Sequence, residues 1–219
     1  MAIANAFRRW FPRLAEVIVN SRYRRSFKRN FYIKLGYIDD HWLRTAQTAD
    51  WLTSMRALGP SGLDALEISP GDRSQWSGLG FRTYDSVQYP AFDICEMTTQ
   101  MQYDVIIADN VLEHVKRPHK AVANVLAMLR PGGVFYVTTP FLVMVHGDDD
   151  YYRWTTKGMH ILLEDAGFPA EEIDIKSWGN RSCIKANFDK WAVHGWHRDM
   201  RNEDHLPAVI WGTARKASE

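Results

Sequence analysis

Residues 103–141 read YDVIIADNVLEHVKRPHKAVANVLAMLRPGGVFYVTTPF, and this stretch decides the fold. An apolar run, Val105-Ile106-Ile107-Ala108, begins after Asp104 and ends at Asp109-Asn110. A helix follows, with Ala121, Val122, Val125, Leu126 and Leu129 on one face, and it stops at Arg130-Pro131-Gly132-Gly133. A second β-rich run, Val134 to Thr139, ends at Pro140. Strand, helix and strand, with both strands apolar enough to be buried on two faces, make a βαβ unit of a parallel sheet. Such a crossover puts Asp109 and Thr139-Pro140 on one rim. In open α/β sheets that rim is where ligands bind.

Working outward, 219 residues suit one α/β domain with additions. An apolar content of 46% and a charged content of 24% are those of an ordinary globule. Nine tryptophans are many for this length and suggest aromatic surfaces around a cleft, unless packing absorbs them. Cys95 and Cys183 are the only cysteines and form no CxxC pair, which argues against a disulfide framework or a structural zinc site. No apolar run spans a bilayer and no secretory signal is evident, so a cytoplasmic location is expected.

The overall charge of +1 conceals an asymmetry. Arg8, Arg9, Arg13, Arg22, Arg24, Arg25, Lys28 and Arg29 stand against Glu16 alone in residues 1–30, leaving the rest of the chain net acidic. Interleaved with Phe7, Trp10, Phe11, Tyr23 and Phe27, this leader is suited to an anionic membrane surface or a phosphate-bearing substrate. Equally, it can be an amphipathic helical cover with solvated charges. Nucleic acid is not expected, because the acidic remainder repels a polyanion. Helices are expected near 12–20 and 21–34, with Pro12 in a first turn. A further helix, capped by Asp39 or Asp40, carries Trp42, Leu43, Ala46, Ala49, Leu52, Met55 and Leu58 and stops at Gly59-Pro60. The expected division is therefore a basic helical extension over residues 1–60 and a nucleotide-binding-type domain over 61–219.

Ala65 to Ser69 reads as a first buried strand, Pro70-Gly71 as a tight turn, and Ser74 as the start of a helix. In a nucleotide-binding fold this turn aims backbone N–H groups at the ligand. Ser69-Pro70-Gly71-Asp72-Arg73 lacks the G-x-G-x-x-G fingerprint of nicotinamide enzymes, which argues against a dehydrogenase. Arg82 to Val87 is the second strand, and Gln88 stands at its tip, where ribose hydroxyls are usually held.

ALEISPG, FDIC, YDVIIADNVLEHV, LRPGGVFYVTTPF, HGDDDYYRWTTKGMHILLEDAGF and SWGNRSC together resemble the class I S-adenosylmethionine-dependent methyltransferases, over about residues 63–214. They are most similar to the small bacterial methyltransferase-domain proteins of glycan or natural-product biosynthesis. The resemblance implies a Rossmann-like sheet of seven strands, mostly parallel, with helices on both faces and Leu206 to Ala214 as the antiparallel last strand. It implies S-adenosyl-L-methionine as cofactor. Glu67 then corresponds to the acid of the first motif and Gly71 to a glycine of the loop under the cofactor, with Ser69 and Arg73 in the outer glycine positions. Asp93 and Ile94 match the segment bordering the adenine. Asp109, Asn110 and Val111 match the strand tip beside the donor methyl.

Methyl transfer from a sulfonium needs alignment and, for a hydroxyl acceptor, removal of a proton. His146, in the loop after the Val134–Thr139 run, is the first choice of base and His114 the second. Arg153 can grip an anionic group, with Trp154 and Asn180 as further substrate contacts. Asp148-Asp149-Asp150 is read as a helix cap, since consecutive loop carboxylates seldom converge on one ion, and no residue is assigned to a metal. The reading is transfer to oxygen or nitrogen of a small-molecule or glycan acceptor. The alternatives are a methyltransferase fold doing other chemistry with its altered loop, and a membrane- or partner-docking module; aromatics near the leader could also support a homodimer.

Overall fold

The computed structural model describes residues 41–70, 74–195 and 197–218. The basic leader, its two expected helices, Asp39 and Asp40 lie outside them. The chain divides into two compact units. In the smaller, Met1–Trp42 with Val193–Arg198, His41 forms an antiparallel bridge with Val193, and the Arg198 guanidinium lies 4.7 Å from the Trp42 ring centre. The larger, Leu43–Ala192 with Asp199–Glu219, contains the sheet.

Six strands are present among the described residues: β1 (Asp64–Ile68), β2 (Thr83–Val87), β3 (Tyr103–Asp109), β4 (Leu129–Pro140), β5 (Ile173–Trp178) and β6 (Val209–Arg215). Their order is β2-β1-β3-β4-β6-β5. β1, β2, β3 and β4 pair in parallel, whereas β6 runs antiparallel to both β4 and β5. The reversed closing strand is thus present, but a seventh strand is not among the described residues. Residues 88–102, between β2 and β3, form turns held by Asp93, whose carbonyl accepts the N–H groups of Glu96 and Met97. A segment this short cannot supply a helix and another strand.

The four helices described here are α1 (Thr45–Ala57), α2 (Pro118–Met128), α3 (Thr156–Asp165) and α4 (Arg181–Ala186). Helix α2 joins β3 to β4 and buries Ala121, Val122, Val125 and Met128 against the sheet. Leu129, expected on the same helical face, is instead the first residue of β4. Helix α1 lies within the unit that holds the sheet, with Asp50 accepting the Trp211 indole N–H at 2.8 Å. It buries Gln47, Thr48, Trp51 and Met55, not the Ala46-Ala49-Leu52 stripe. The Trp51 ring sets this face, meeting Trp76 at 5.3 Å and Tyr136 at 5.4 Å. Most of the buried tryptophans serve packing in this way, which answers the question their number raised.

The helix expected from Ser74 is only a 3-10 turn, Ser77–Leu79. Ser74 does cap it, its Oγ accepting the N–H groups of Trp76 and Ser77. Gly80, at φ 79°, then takes the left-handed conformation that ends a helix. Thr155, rather than the Asp148-Asp149-Asp150 run, caps α3, accepting the Gly158 N–H at 3.0 Å.

The rim at the start of the strands is tied by charge. Arg82 donates Nε to Asp64 Oδ1 at 2.8 Å, Arg130 donates to Asp64 Oδ2 at 2.8 Å and to Asp104 Oδ2 at 2.6 Å, and Asp104 also accepts the Asp64 N–H. Arg82, and then Arg130, hold the Asp64 carboxyl far below the usual carboxylate range. A carboxyl depressed in the folded state stabilises above its unfolded pKa, about 3.9, and loses that contribution as pH falls toward its folded value. Asp64→Asn is therefore expected to melt below the wild type at pH 7, with the gap narrowing between pH 4 and pH 2.5. Melting curves at several pH values check this; a gap independent of pH would disprove it.

Candidate active site

The opposite rim carries the site. Ser69 follows β1, Gln88 follows β2, and Asn110 follows β3. Ser69, at φ 51°, and Asn110, at φ 56°, both adopt the left-handed conformation at their strand tips. Non-glycine residues held there carry strain of order 1 kcal/mol, and such strain gathers at functional sites. Each is pinned by a ladder bond: the Ser69 N–H donates to Val87 O at 2.7 Å, and the Asn110 N–H to Thr138 O at 3.1 Å.

These tips surround a cavity of about 540 Å³. Ser69, Gln88, Asp93, Ile94, Asn110, Val111 and His114 line it, joined by Tyr89, Phe92, Cys95, Lys116 and Tyr151. Asp93 Oδ1 accepts the Cys95 N–H at 2.8 Å, which fixes the turn that carries the carboxylate to the wall. Volume and lining suit a nucleoside-sized ligand: an apolar slot of Ile94, Val111 and Phe92 beside a few polar groups.

Two other expected cofactor residues do not reach the lining. Glu67 is buried beneath it, where its Oε2 accepts the Tyr84 hydroxyl; burial raises its pKa. Asp109 Oδ2 is occupied by the Arg44 guanidinium, the Trp76 indole N–H at 3.0 Å and the Gln75 amide at 3.2 Å. Gly71 and Arg73 lie outside the described residues.

The loop after β4 is folded back onto the turn after β3. The Glu113 carbonyl accepts the Tyr151 N–H at 2.8 Å and the Tyr152 N–H at 3.3 Å. This brings the His146 ring edge-on to that of His114, 5.1 Å between centres, with Trp191 at the same distance on the other contact. His114 Nδ1 lies 2.9 Å from the Asp149 carbonyl oxygen. A carbonyl only accepts, so Nδ1 carries the proton and Nε2 of the neutral ring keeps its lone pair. His146 is absent from the lining and sits behind His114, the reverse of the order the sequence suggests. Its backbone N–H donates to Asp150 Oδ2 at 2.9 Å, and burial lowers its pKa.

Glu113 lies at the centre of this cluster and was not singled out by sequence. Its side chain is 0% exposed, and neither carboxylate oxygen accepts a hydrogen bond from another described residue. Burial pushes its pKa up to about 8. The only sequence signal was its place between Leu112 and His114, and that does not report burial.

The expected substrate residues have structural partners. The Arg153 guanidinium is paired with the Asp150 carboxylate and donates to the Tyr152 carbonyl at 2.8 Å, so it braces the loop. Asp150 is held well down, to about 2, by that arginine. Trp154 stacks on Tyr152 at 5.3 Å. Asn180 is buried at the start of α4: Oδ1 accepts the Cys183 N–H, and Nδ2 donates to the carbonyls of Asp199 and Arg201, both at 2.9 Å. Asn180→Ala loses a cap and both donated bonds, and is expected to cost about 2 kcal/mol. Denaturant melts measure this loss; a variant as stable as wild type would return Asn180 to the list of substrate contacts.

A family model described as a methyltransferase domain matches residues 40–172. The chain belongs to this methyltransferase family. The strand order, the reversed last strand and the ligand rim are those of its class I, S-adenosylmethionine-dependent fold, and S-adenosylmethionine is the cofactor of that class. Among curated proteins, the methyltransferase is 29% identical over 114 residues to a ubiquinone biosynthesis O-methyltransferase of Bordetella avium, covering 48% of this chain and 47% of that one. The match thus spans about half of the relative's length. Among solved structures it is similar to a possible histamine N-methyltransferase of Thermotoga maritima, with a TM-score of 0.53, 12% identity, and 75% and 87% of the two chains covered. Phosphoethanolamine N-methyltransferase 2 of Haemonchus contortus, solved with S-adenosyl-L-methionine, gives a TM-score of 0.53 at 13% identity, covering 77% of this chain and 52% of that one. At such identities the likeness is one of fold. No described helix of the methyltransferase is long and apolar enough to cross a membrane.

Proposed function

We propose that this methyltransferase transfers a methyl group to the hydroxyl of a small-molecule acceptor. The observation that carries the reading is the single cavity into which Ser69, Gln88, Asp93, Ile94, Asn110 and Val111 converge from three strand tips and the turn after β2. On this reading Gln88 bonds a ribose hydroxyl, the Asp93 carboxylate accepts from the adenine amine, and Ile94 and Val111 sandwich the ring. The bound cofactor supplies an already activated methyl group. The chain's own task is to hold the acceptor in line and to take its proton.

Oxygen as the methylated atom draws support from two sides. The curated relative is named an O-methyltransferase. A hydroxyl must also lose a proton, and His114, an imidazole, lines the cavity. Tyr89, Phe92 and Tyr151 give the same wall an aromatic character suited to a ring-bearing acceptor. Arg153 is proposed as a brace for the loop and Trp154 as its packing partner. The basic leader remains a proposal for contact with a phosphate-bearing acceptor or an anionic surface.

Calorimetric titration with S-adenosylmethionine and S-adenosylhomocysteine tests the site. Micromolar binding is expected, weakened at least tenfold in Asp93→Ala through loss of a charge-assisted hydrogen bond. No heat up to millimolar cofactor would overturn the reading.

A further inference from the structure

We infer that Glu113, His114 and His146 form a binding site for one divalent transition-metal cation, zinc by the chemistry of the donors, with an open position toward the cavity. One carboxylate oxygen and one nitrogen from each ring lie within 4.8 Å of one another. Tetrahedral ligands at zinc distances are about 3.4 Å apart, so side-chain rotations of an ångström or less close the set. Two imidazoles with one carboxylate is a donor set that leaves zinc a fourth position for water or substrate.

The independent observation is the state of Glu113. A carboxylate with no exposure and no hydrogen bond from another described residue is costly to keep charged. If ionised, it is a buried charge. If protonated, its nearest described acceptor is His114 Nε2, 3.8 Å from Oε1 and beyond hydrogen-bond reach. With the His114 ring neutral and its proton on Nδ1 toward the Asp149 carbonyl, Nε2 presents a lone pair to Glu113. A cation between them satisfies both.

The surroundings match what metal-binding histidines require. The Asp149 carbonyl backs His114 Nδ1, and Asp150 Oδ2 lies 3.2 Å from His146 Nδ1 as an ion-pair contact outside hydrogen-bond geometry. Such partners fix ring orientation and raise ligand basicity. The Arg153 guanidinium is paired with Asp150, which holds that carboxylate beside His146. His114 lines the cavity, which places the open coordination position at its wall. With the cation bound, His114 is a ligand and no longer the base, so the acceptor oxygen takes the open position and its proton leaves to water; this step rests on the methyl-transfer reading, and the metal site itself does not.

The experiment uses the full chain stripped with a chelator. Cobalt(II), a spectroscopic stand-in for zinc, is titrated in, followed by zinc against a chromophoric chelator. One equivalent of cobalt giving intense visible bands of a four- or five-coordinate site is expected, displaced by one equivalent of zinc. Glu113→Gln, isosteric and neutral, and His146→Ala are each expected to weaken zinc binding by 100-fold or more. Should a variant fail to fold, the wild-type cobalt spectrum still decides. Absence of those bands at one equivalent, or zinc affinity unchanged in folded Glu113→Gln, overturns the proposal. S-adenosylhomocysteine titrated into the metal-free wild type reports on the cofactor pocket separately, so either reading can fail alone.

Discussion

Asp109→Ala is expected to cost the methyltransferase about 3–5 kcal/mol of stability, as loss of one partner in a buried ion pair does. The carboxylate stands at the tip of β3 and gathers Arg44 from the approach to α1, Trp76 from the turn after β1, and Gln75. Without it, the Trp76 indole N–H is stranded in a fully buried ring, a penalty of about 1–3 kcal/mol by itself. The Arg44 charge also loses its partner in a setting with little access to water. Asp109→Asn keeps an acceptor oxygen and is expected to recover roughly half the loss. With a total stability of the order of 5–15 kcal/mol, urea unfolding resolves both variants. A change below 1 kcal/mol in Asp109→Ala would show that the network is decorative.

Gly212→Ala is expected to be the most damaging small substitution in the sheet. Gly212 pairs with Val137 of β4 on one side and Ile175 of β5 on the other. A Cβ there would sit 2.2 Å from the Asp174 carbonyl oxygen and 2.5 Å from Ile175 Cδ1. The side chain can swing away, but the carbonyl cannot retreat without parting β5 from β6. Overpacking usually costs about 1–3 kcal/mol, and contact with fixed backbone puts this case at the upper end or above. For the same reason, adding Ile175→Ala is expected not to rescue it, since only the softer of the two contacts is relieved. Midpoints of urea unfolding compare the single and double variants. A wild-type midpoint for Gly212→Ala, or full rescue by Ile175→Ala, would refute this account.

Several features of the active site were legible in the chain because they depend on local order. Apolar runs and their stops identify β3, α2 and β4, and a strand tip in a parallel sheet must face the ligand rim. Gln88 follows from its distance past the first strand, whereas Ser69, Asp93 and Asn110 come from the resemblance to the methyltransferases. The same logic overreached where a local signal lacked room. Ser74 accepts the first N–H groups, yet Gly80 ends the helix after one 3-10 turn, and of the seven strands the resemblance implies six are found among the described residues.

The chemistry of individual side chains was decided by tertiary contacts. Asp109, Arg153 and Asn180 are polar residues in promising places, but distant segments use up their hydrogen-bonding capacity. Glu113 is the opposite case: the loop that binds its carbonyl through Tyr151 and Tyr152 also seals its carboxylate from water and brings His146 beside His114. Sequence by itself determined the central βαβ unit and the rim at its strand ends, because periodicity and chain connectivity are local. Only the tertiary structure decided which carboxylates are spent and which one is buried without a partner, because burial is a property of what folds over a residue.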